Sequence, residues 1–458
     1  MNRFLWSLLL AFLVLSPAVW SQSSAQSLPQ GPLTPQQITT WGLTVSGEDP
    51  QEIPQTEAVL NNWYHTLEKK LSGLSGAALG DALLKLLHQE FLHHYSSEQT
   101  RLDVLLKTGD YNCVSSALVY LILGRRLGLT VEAVEVPSHA FCRVQVGTWV
   151  DVETTTAQGW DPGTKKAFHD EFGHVTGYSY VPPGDYTQRR NLDARGLLGL
   201  VLQNRCSLLQ KQGLFQQAIP LALDRWEFDH SEASRTMLET VYKDAIAVLN
   251  NQKKFQQGLD LVKTLFSLTG LTPTVQNLAY ALVANQVQLW SEQQEYQKAQ
   301  QLIQAWEQQK FLRQTEALNL LKTLTENELV KVLPQLAPNQ AKVKLDEAAS
   351  QGYITSDQKN QFLAWIYSSA TETVVKGHGY PAGVAYLKQL PTEVQQLPGL
   401  QDLYQQLKAA WAATIHNQFA QLWNAGQHEQ ARQVLHEGLM ALPDSRLLQQ
   451  DQSQLPQE

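Results

Sequence analysis

The sequence predicts an α+β domain followed by an all-α domain of helical repeats. A helical pattern over residues 114–128 precedes three short segments that alternate or are rich in β-branched residues, which is the order of an α+β unit. From residue 192 to residue 447 apolar residues recur only at helical spacing, and short similar segments return about every 40 residues. The chain therefore combines two architectures.

Length and composition restrict the class of protein. The 458 residues are enough for two or three domains, and 43% of them are hydrophobic, so large cores can form. A formal net charge of -8 argues against a nucleic-acid partner, and the absence of an apolar run of 18 residues argues against a stable membrane span. Three Cys residues are too few for a disulfide framework.

The first 25 residues have the features of a secretory signal peptide. Arg3 gives a basic start, residues 4–15 are mostly apolar but too few to cross a bilayer, and small or polar residues follow. Cleavage after Ser21 or Ala25 fits this pattern. We therefore expect an exported protein, periplasmic or secreted, in which at least one thiol stays unpaired and needs a role. An uncleaved anchor in the membrane interface is the alternative.

Shifts in composition divide the rest of the chain into four parts. Residues 26–54 contain five Pro residues and are expected to form a linker or irregular arm. Residues 55–190 hold the α+β pattern, residues 191–447 hold the helices, and residues 448–458 form a polar tail.

Similar segments mark the helical part. Phe215, Phe255 and Tyr296 are 40 and 41 residues apart, and three residues after each comes Ala or Gly, where a second helix can approach closely. A related segment starts at Gln427, and residues 379–383 are a further candidate. The pattern resembles a tetratricopeptide-type array of helical hairpins, with a period longer than that family's ~34 residues. The resemblance implies a concave surface for a protein partner; an unrelated helical bundle is the alternative.

Cys113 is the candidate nucleophile of the α+β domain. It lies in the first turn of a predicted helix, directly after Asn112, which is a suitable N-cap residue. Backbone N–H groups and the helix dipole at this end stabilise a thiolate, the form of Cys that attacks carbonyl groups. Catalysis then needs a base within hydrogen-bonding distance.

His139 is the candidate base, and Glu153 or Asp151 is the acid that orients it. Apolar side chains alternate with His139 along its strand, so the imidazole points away from the predicted core. If residues 146–148 form the hairpin loop, Asp151 pairs with Arg143, and Glu153 lies diagonal to His139 within reach of its ring. Glu153 is therefore the preferred third member of the triad, and Asp151 is the alternative acid.

Residues 109–155 resemble the transglutaminase-like fold, a group of papain-like cysteine enzymes. The motifs that carry the resemblance are Gly109 to Cys113, Arg126-Leu127-Gly128, His139-Ala140-Phe141 and Trp149 to Glu153. The family's spacing from Trp to the acid ends on Glu153, where Asp is usual. The resemblance implies that Cys113 attacks a peptide or protein amide and that a thioester leads to hydrolysis, deamidation or transamidation.

Two further features bear on the chemistry. An oxyanion hole would combine the backbone N–H of Cys113 with one donor upstream, for which Asn112 and Tyr111 are the candidates. The His and Glu residues of segment 88–94 lack the spacing of metal ligands on one helix face, and His169 and His174 fit a solvated loop. We therefore expect no metal site and no cofactor.

The leading hypothesis is an exported cysteine enzyme that acts on peptide or protein amide bonds, with helical repeats that bind a protein or peptide. Hydrolysis is favoured over transamidation because water needs no second binding site. The alternative hypothesis is a catalytically inert transglutaminase-like and helical-repeat scaffold for protein–protein interaction.

Overall fold

The structure is a computed structural model that describes residues 31–137, 139–163, 165, 173–176 and 189–455. The predicted signal peptide lies outside the described residues, as does His169. The chain divides into two compact units, Met1–Thr274 and Val275–Glu458. Among the described residues, the longest apolar helices still fall short of what a membrane crossing requires.

The first unit starts with helices that surround one central helix and a small sheet. Its first elements are α1 (Pro35–Ser46), α2 (Ile53–Lys70), α3 (Gly76–Glu90), β1 (His94–Tyr95), α4 (Leu102–Thr108), β2 (Asp110–Tyr111), α5 (Cys113–Arg126), β3 (Val131–Val136), β4 (His139–Val146), β5 (Thr148–Val152) and β6 (Arg190–Leu192). Four more helices follow, namely α6 (Ala194–Lys211), α7 (Phe215–Asp229), α8 (Glu232–Asn251) and α9 (Phe255–Thr269).

The main sheet is antiparallel, with the strand order β5-β4-β3-β6. Arg143 lies opposite Asp151 and Gln145 opposite Trp149, which confirms the predicted hairpin register. The turn is tighter than expected, because only Gly147 remains between the last paired residues. Its φ of 92° is a conformation that glycine adopts without steric cost. The short strands β1 and β2 form a separate parallel pair.

Helix α5 is the centre of the first unit. It packs against β3 and β4 and also contacts α1, α3, α4 and α6. Its residues from Val114 to Gly124 are all buried, so this helix is enclosed on every side. Leu197 and Val201 of α6 belong to the same core cluster as α5, so the core continues past the domain boundary expected at residue 190.

Two terminal segments differ from the prediction. The expected arm over residues 26–54 contains α1, whose Ile38 and Leu43 are fully buried in the core. Its Pro35 occupies the first helical turn, where the missing N–H costs nothing, so proline there starts a helix rather than a linker. The expected polar tail overlaps a C-terminal helix whose Leu448 is fully buried.

The second unit is helical throughout its described residues. Its elements are α10 (Pro273–Glu292), which begins at the division between the units, α11 (Tyr296–Gln308), α12 (Gln314–Val332), a 3-10 turn (Leu333–Gln335), α13 (Pro338–Ser350), α14 (Ser356–Gln389), α15 (Thr392–Gln395), α16 (Pro398–Asn424), α17 (His428–Ala441) and α18 (Arg446–Ser453). Gly379 interrupts α14 with a φ of 78° and a ψ of 177°.

The predicted repeat segments share one turn conformation. In each of these turns between two helices, one residue has a left-handed conformation. The next residue has a φ near -89° and a ψ between 49° and 62°, and the second helix of the pair begins directly after it. The left-handed residues are Gly213, Lys253, Gln294 and Gly426, with φ values of 72°, 58°, 60° and 75°. The small residues that follow are buried, namely Ala218, Gly258, Ala299 and Ala431. Residues 379–383 lie within α14, where Gly379 interrupts the helix. The helical part is compatible with a helical repeat region.

Candidate functional site

Cys113 is the first residue of α5, and a hydrogen-bonded cap fixes where this helix starts. The side-chain oxygen of Asn112 accepts the N–H groups of Val114 and Ser115 at 2.9 and 3.0 Å. The hydroxyl of Ser115 accepts the N–H of Asn112 at 2.9 Å, which completes a capping box. The cap occupies the second and third N–H groups of the helix and places Cys113 at its positive end.

Glu153 and His139 form a short hydrogen bond within the protein interior. Nε2 of His139 donates to Oε2 of Glu153 at 2.6 Å, and the two side chains are 6% and 0% exposed. Oε1 of Glu153 accepts two further hydrogen bonds from Thr155, from its N–H at 3.1 Å and its hydroxyl at 2.8 Å. Three donors thus orient one buried carboxylate, which satisfies much of the hydrogen-bonding capacity that burial removes from water.

The thiol of Cys113 is the third side chain of this group, and it acts on the charge of the imidazole. Cys113 is half-buried, and its side chain interacts with that of His139. Since Nε2 is held by Glu153, Nδ1 is the ring nitrogen left to act as a base. Burial opposes the charged ring, but the Glu153 carboxylate and Cys113 outweigh it and hold the pKa of His139 well above its usual value. The arrangement therefore suits an imidazolium beside a thiolate.

Asp151, the alternative acid, is engaged elsewhere. Both of its carboxylate oxygens accept hydrogen bonds from the guanidinium of Arg189, at 2.9 and 2.6 Å. It lies opposite Arg143 in the sheet, one residue pair from the end of the ladder. The structure thus brings Glu153, and not Asp151, to the hydrogen-bonding nitrogen of His139.

The two candidate oxyanion donors have other partners for their side chains. Nδ2 of Asn112 donates to the carbonyl of Ser97 at 3.3 Å, and the hydroxyl of Tyr111 donates to the carbonyl of Thr155 at 3.0 Å. Burial and the nearby Glu153 raise the pKa of Tyr111 to about 12, so the hydroxyl keeps its proton. An oxyanion in this site would rely on backbone donors, of which the N–H of Cys113 is the closest to the nucleophile.

The sequence reasoning missed the residues that surround Glu153. His88, considered only as a metal ligand, directs its Nε2 to the carbonyl of Thr154 at 3.1 Å. Burial lowers the pKa of His88 to about 4, which keeps its ring neutral near pH 7. The hydroxyls of Ser116 and Thr154 are 2.9 Å apart. The contacts of Thr154 with Ser116 and His88 join residues 38 and 66 positions apart, so no local sequence pattern predicts them. The run of threonines after Glu153 was the sequence feature that could have indicated this polar region.

The other two Cys residues have structural surroundings. The thiols of Cys142 and Cys206 donate to the carbonyls of Ala117 and Ala218 at 3.3 and 3.1 Å. Burial raises the pKa of both thiols, that of Cys206 to about 12. In the part of the chain that the structure describes, no group of three or more His, Cys, Asp or Glu side chains is arranged to hold a metal ion.

Comparison with known families agrees with this domain. Residues 58–162 match the model of the transglutaminase-like superfamily, and this part of the chain is a transglutaminase-like domain. The matched range contains Cys113, His139 and Glu153. Comparisons with curated proteins and with solved structures found no match.

Proposed function

We propose that the protein is a cysteine enzyme that cleaves peptide or protein amide bonds through a thioester. One observation carries the proposal: a thiol at a helix N-terminus interacts with an imidazole whose Nε2 lies 2.6 Å from a buried carboxylate. Nucleophile, base and orienting acid thus lie in one group, which is the combination that nucleophilic acyl transfer needs.

The residues divide the reaction into two steps. The thiolate of Cys113 attacks the carbonyl carbon, a C–S bond forms, and His139 gives its proton to the departing amine as the C–N bond breaks. In the second step His139 removes a proton from water, the hydroxide attacks the thioester, and the C–S bond breaks to release the acid. Glu153 keeps the ring oriented and stabilises its positive charge in both steps.

Hydrolysis is the favoured outcome, because water needs no binding site of its own. Transamidation would follow the same first step but would replace water with a primary amine. The two outcomes differ in their product. Turnover in the presence of a fluorescent primary amine separates them, since only transamidation attaches the amine to the acyl group.

An ester substrate tests the mechanism without knowledge of the natural amide. p-Nitrophenyl acetate should acetylate Cys113, which is seen as nitrophenolate release and as an acetyl group on the peptide that contains Cys113. Cys113→Ser should abolish both signals, because a hydroxyl is far less acidic than a thiol. Nitrophenolate release that is unchanged in Cys113→Ser would contradict the proposal.

We also propose export, from the sequence features of residues 1–25, and partner binding, from the helical segments that follow the first domain. The basic and apolar start supports export, which N-terminal sequencing of the protein from its native compartment would test by cleavage after Ser21 or Ala25. The shared turn of the helical segments supports a repeat surface for a protein partner.

An inert scaffold is the second candidate. The observation that favours it is exposed apolar surface in the second unit, where Val330 and Trp365 are 53% and 44% exposed. Together with Phe362 and Gln361 they line one cavity. A scaffold would show no thioester with p-nitrophenyl acetate under conditions in which iodoacetamide reaches Cys113.

A further inference from the structure

Residues 153–156, here called the acid loop, are polar and yet buried. Glu153, Thr154, Thr155 and Thr156 are between 0% and 5% exposed. Buried polar groups cost free energy unless hydrogen bonds replace their contacts with water. The loop therefore depends on partners from the elements that enclose it.

Three side chains from three elements, here called the tethers, supply those partners. From α3, His88 reaches the carbonyl of Thr154 at 3.1 Å, and from β2 the hydroxyl of Tyr111 donates to the carbonyl of Thr155 at 3.0 Å. From α5, the hydroxyl of Ser116 lies 2.9 Å from that of Thr154. The rings of His88 and Tyr111 also meet edge to face, with 5.6 Å between their centroids.

Thr155 links the tethers to the carboxylate. Its carbonyl accepts the Tyr111 hydroxyl, while its own N–H and hydroxyl both donate to Oε1 of Glu153. Thr155 is thus hydrogen-bonded both to the Tyr111 hydroxyl and to the Glu153 carboxylate. A displacement of Thr155 therefore also moves the carboxylate. Connected hydrogen bonds in a low-dielectric interior reinforce one another.

The far end of the acid loop is closed by backbone contacts. The N–H of Glu153 donates to the carbonyl of Gly159 at 2.8 Å, and the N–H of Gly159 donates to the carbonyl of Thr156 at 3.1 Å. A Cβ at Gly159 would lie 1.8 Å from the carbonyl oxygen of Glu153. The chain can therefore turn back only with glycine at this position.

We propose that the tethers are positioning residues that keep Glu153 oriented toward His139. The inference rests on the proposed triad and extends it to a second layer of residues. In the described part of the chain, the charge of Glu153 raises the pKa of His139 and His88, which burial lowers. It also raises the pKa of Tyr111 and Cys142, in the same direction as burial. Of these, His139 hydrogen-bonds to the carboxylate itself, so a change in the orientation of Glu153 acts first on the imidazole.

The test is the pH dependence of Cys113 alkylation by iodoacetamide, expressed as the ratio of the rate at about pH 6 to the rate at about pH 9. A loosened Glu153 stabilises the imidazolium less, so fewer thiolates exist at the lower pH. Tyr111→Phe and Ser116→Ala should each lower this ratio about fivefold, the change in equilibrium constant that one net hydrogen bond represents.

Tyr120→Phe is the matched control. Its hydroxyl also donates to a buried carbonyl at 3.0 Å, but the acceptor is Gly80, outside the acid loop. The control should keep the wild-type ratio even where it lowers the melting temperature. An equal drop in Tyr120→Phe and Tyr111→Phe would overturn the inference, because it would show a general effect of destabilisation.

Glu153→Gln separates the inference from the proposed function. If Glu153→Gln lowers the ratio while Tyr111→Phe and Ser116→Ala do not, the triad stands and the positioning role is wrong. If Glu153→Gln also leaves the ratio unchanged, the triad itself is wrong and the inference falls with it.

Discussion

Glu153 lies 2.6 Å from Nε2 of His139, although the two residues are 14 positions apart and Glu153 follows the end of its strand. The hairpin register brings them together, because β4 starts at His139 and β5 ends directly before Glu153. Beyond the ladder, the longer side chain of Glu spans the remaining gap.

The first prediction separates the two candidate acids. Glu153→Gln should slow acetylation of Cys113 by p-nitrophenyl acetate at least about tenfold, because the imidazolium loses a buried counter-ion worth more than about 1.4 kcal/mol. Asp151→Asn should stay within about twofold of wild type, since Asp151 binds Arg189. Equal losses in the two variants would contradict the assignment of Glu153.

The second prediction concerns stability in acid. The pKa of His88 in the folded protein is about 4, because burial lowers it from the ordinary value of 6.5, so the unfolded chain binds more protons between these values. His88 therefore lowers the free energy of unfolding as the pH falls from about 6.5 to 4, by up to about 3 kcal/mol. His88→Gln, which can still donate to Thr154, should lose less stability than wild type over this range.

Urea denaturation at about pH 7 and pH 4.5 measures this difference. The raised pKa of His139 acts in the opposite direction: the stability it contributes is complete below the unfolded pKa and is lost as the pH rises through the folded value. Because His139 is present in both proteins, the comparison isolates His88. Parallel stability curves for the two proteins would refute this role.

The third prediction tests the closure of the acid loop. Gly159→Ala should destabilise the protein by about 2 kcal/mol or more, because the new Cβ would collide with the backbone of Glu153. Gly163→Ala is the control, since nothing lies within 4 Å of a Cβ there. Thermal unfolding followed by circular dichroism should show a clear loss for the first variant and little change for the second. Similar melting temperatures would argue against the tight return of the loop.

The fourth prediction concerns the shared turn of the helical segments. Lys253 occupies the left-handed position that Gly213 occupies in the preceding segment, with φ values of 58° and 72°. Lys253→Gly should therefore stabilise the protein, and Gly213→Ala should destabilise it, each by about 1 kcal/mol. Gly377→Ala, in a helix with no atom within 4 Å of the new Cβ, should be mildly stabilising. Denaturant titration checks all three, and a loss of stability in Lys253→Gly would contradict the shared turn.

Features set by nearby residues could be predicted from the sequence. Asn112 marks the start of α5 because its side chain can cap only the next few N–H groups, and Gly147 marks the hairpin because few residues adopt its φ. The α+β and helical classes followed from the periodicity of apolar residues.

Features set by distant residues could not be predicted in this way. The ion pair of Asp151 joins residues 38 positions apart, and the contact of His88 with Thr154 joins residues 66 positions apart. Helix α1 was taken for a linker because proline content was weighed without its position in the helix. Packing in three dimensions, which the local pattern does not encode, decided the first two cases, whereas the position of Pro35 in its helix decided the third.

Site-resolved alkylation of Cys113 is the most direct test of the central claim, the paired thiolate and imidazolium. The rate of iodoacetamide modification would be followed by mass spectrometry from about pH 5 to pH 9, with the buried Cys142 and Cys206 as internal controls. We expect Cys113 to react far faster than both controls at about pH 6, and His139→Ala to remove that advantage. An inert Cys113, or a rate at about pH 6 that is the same in wild type and His139→Ala, would contradict the claim.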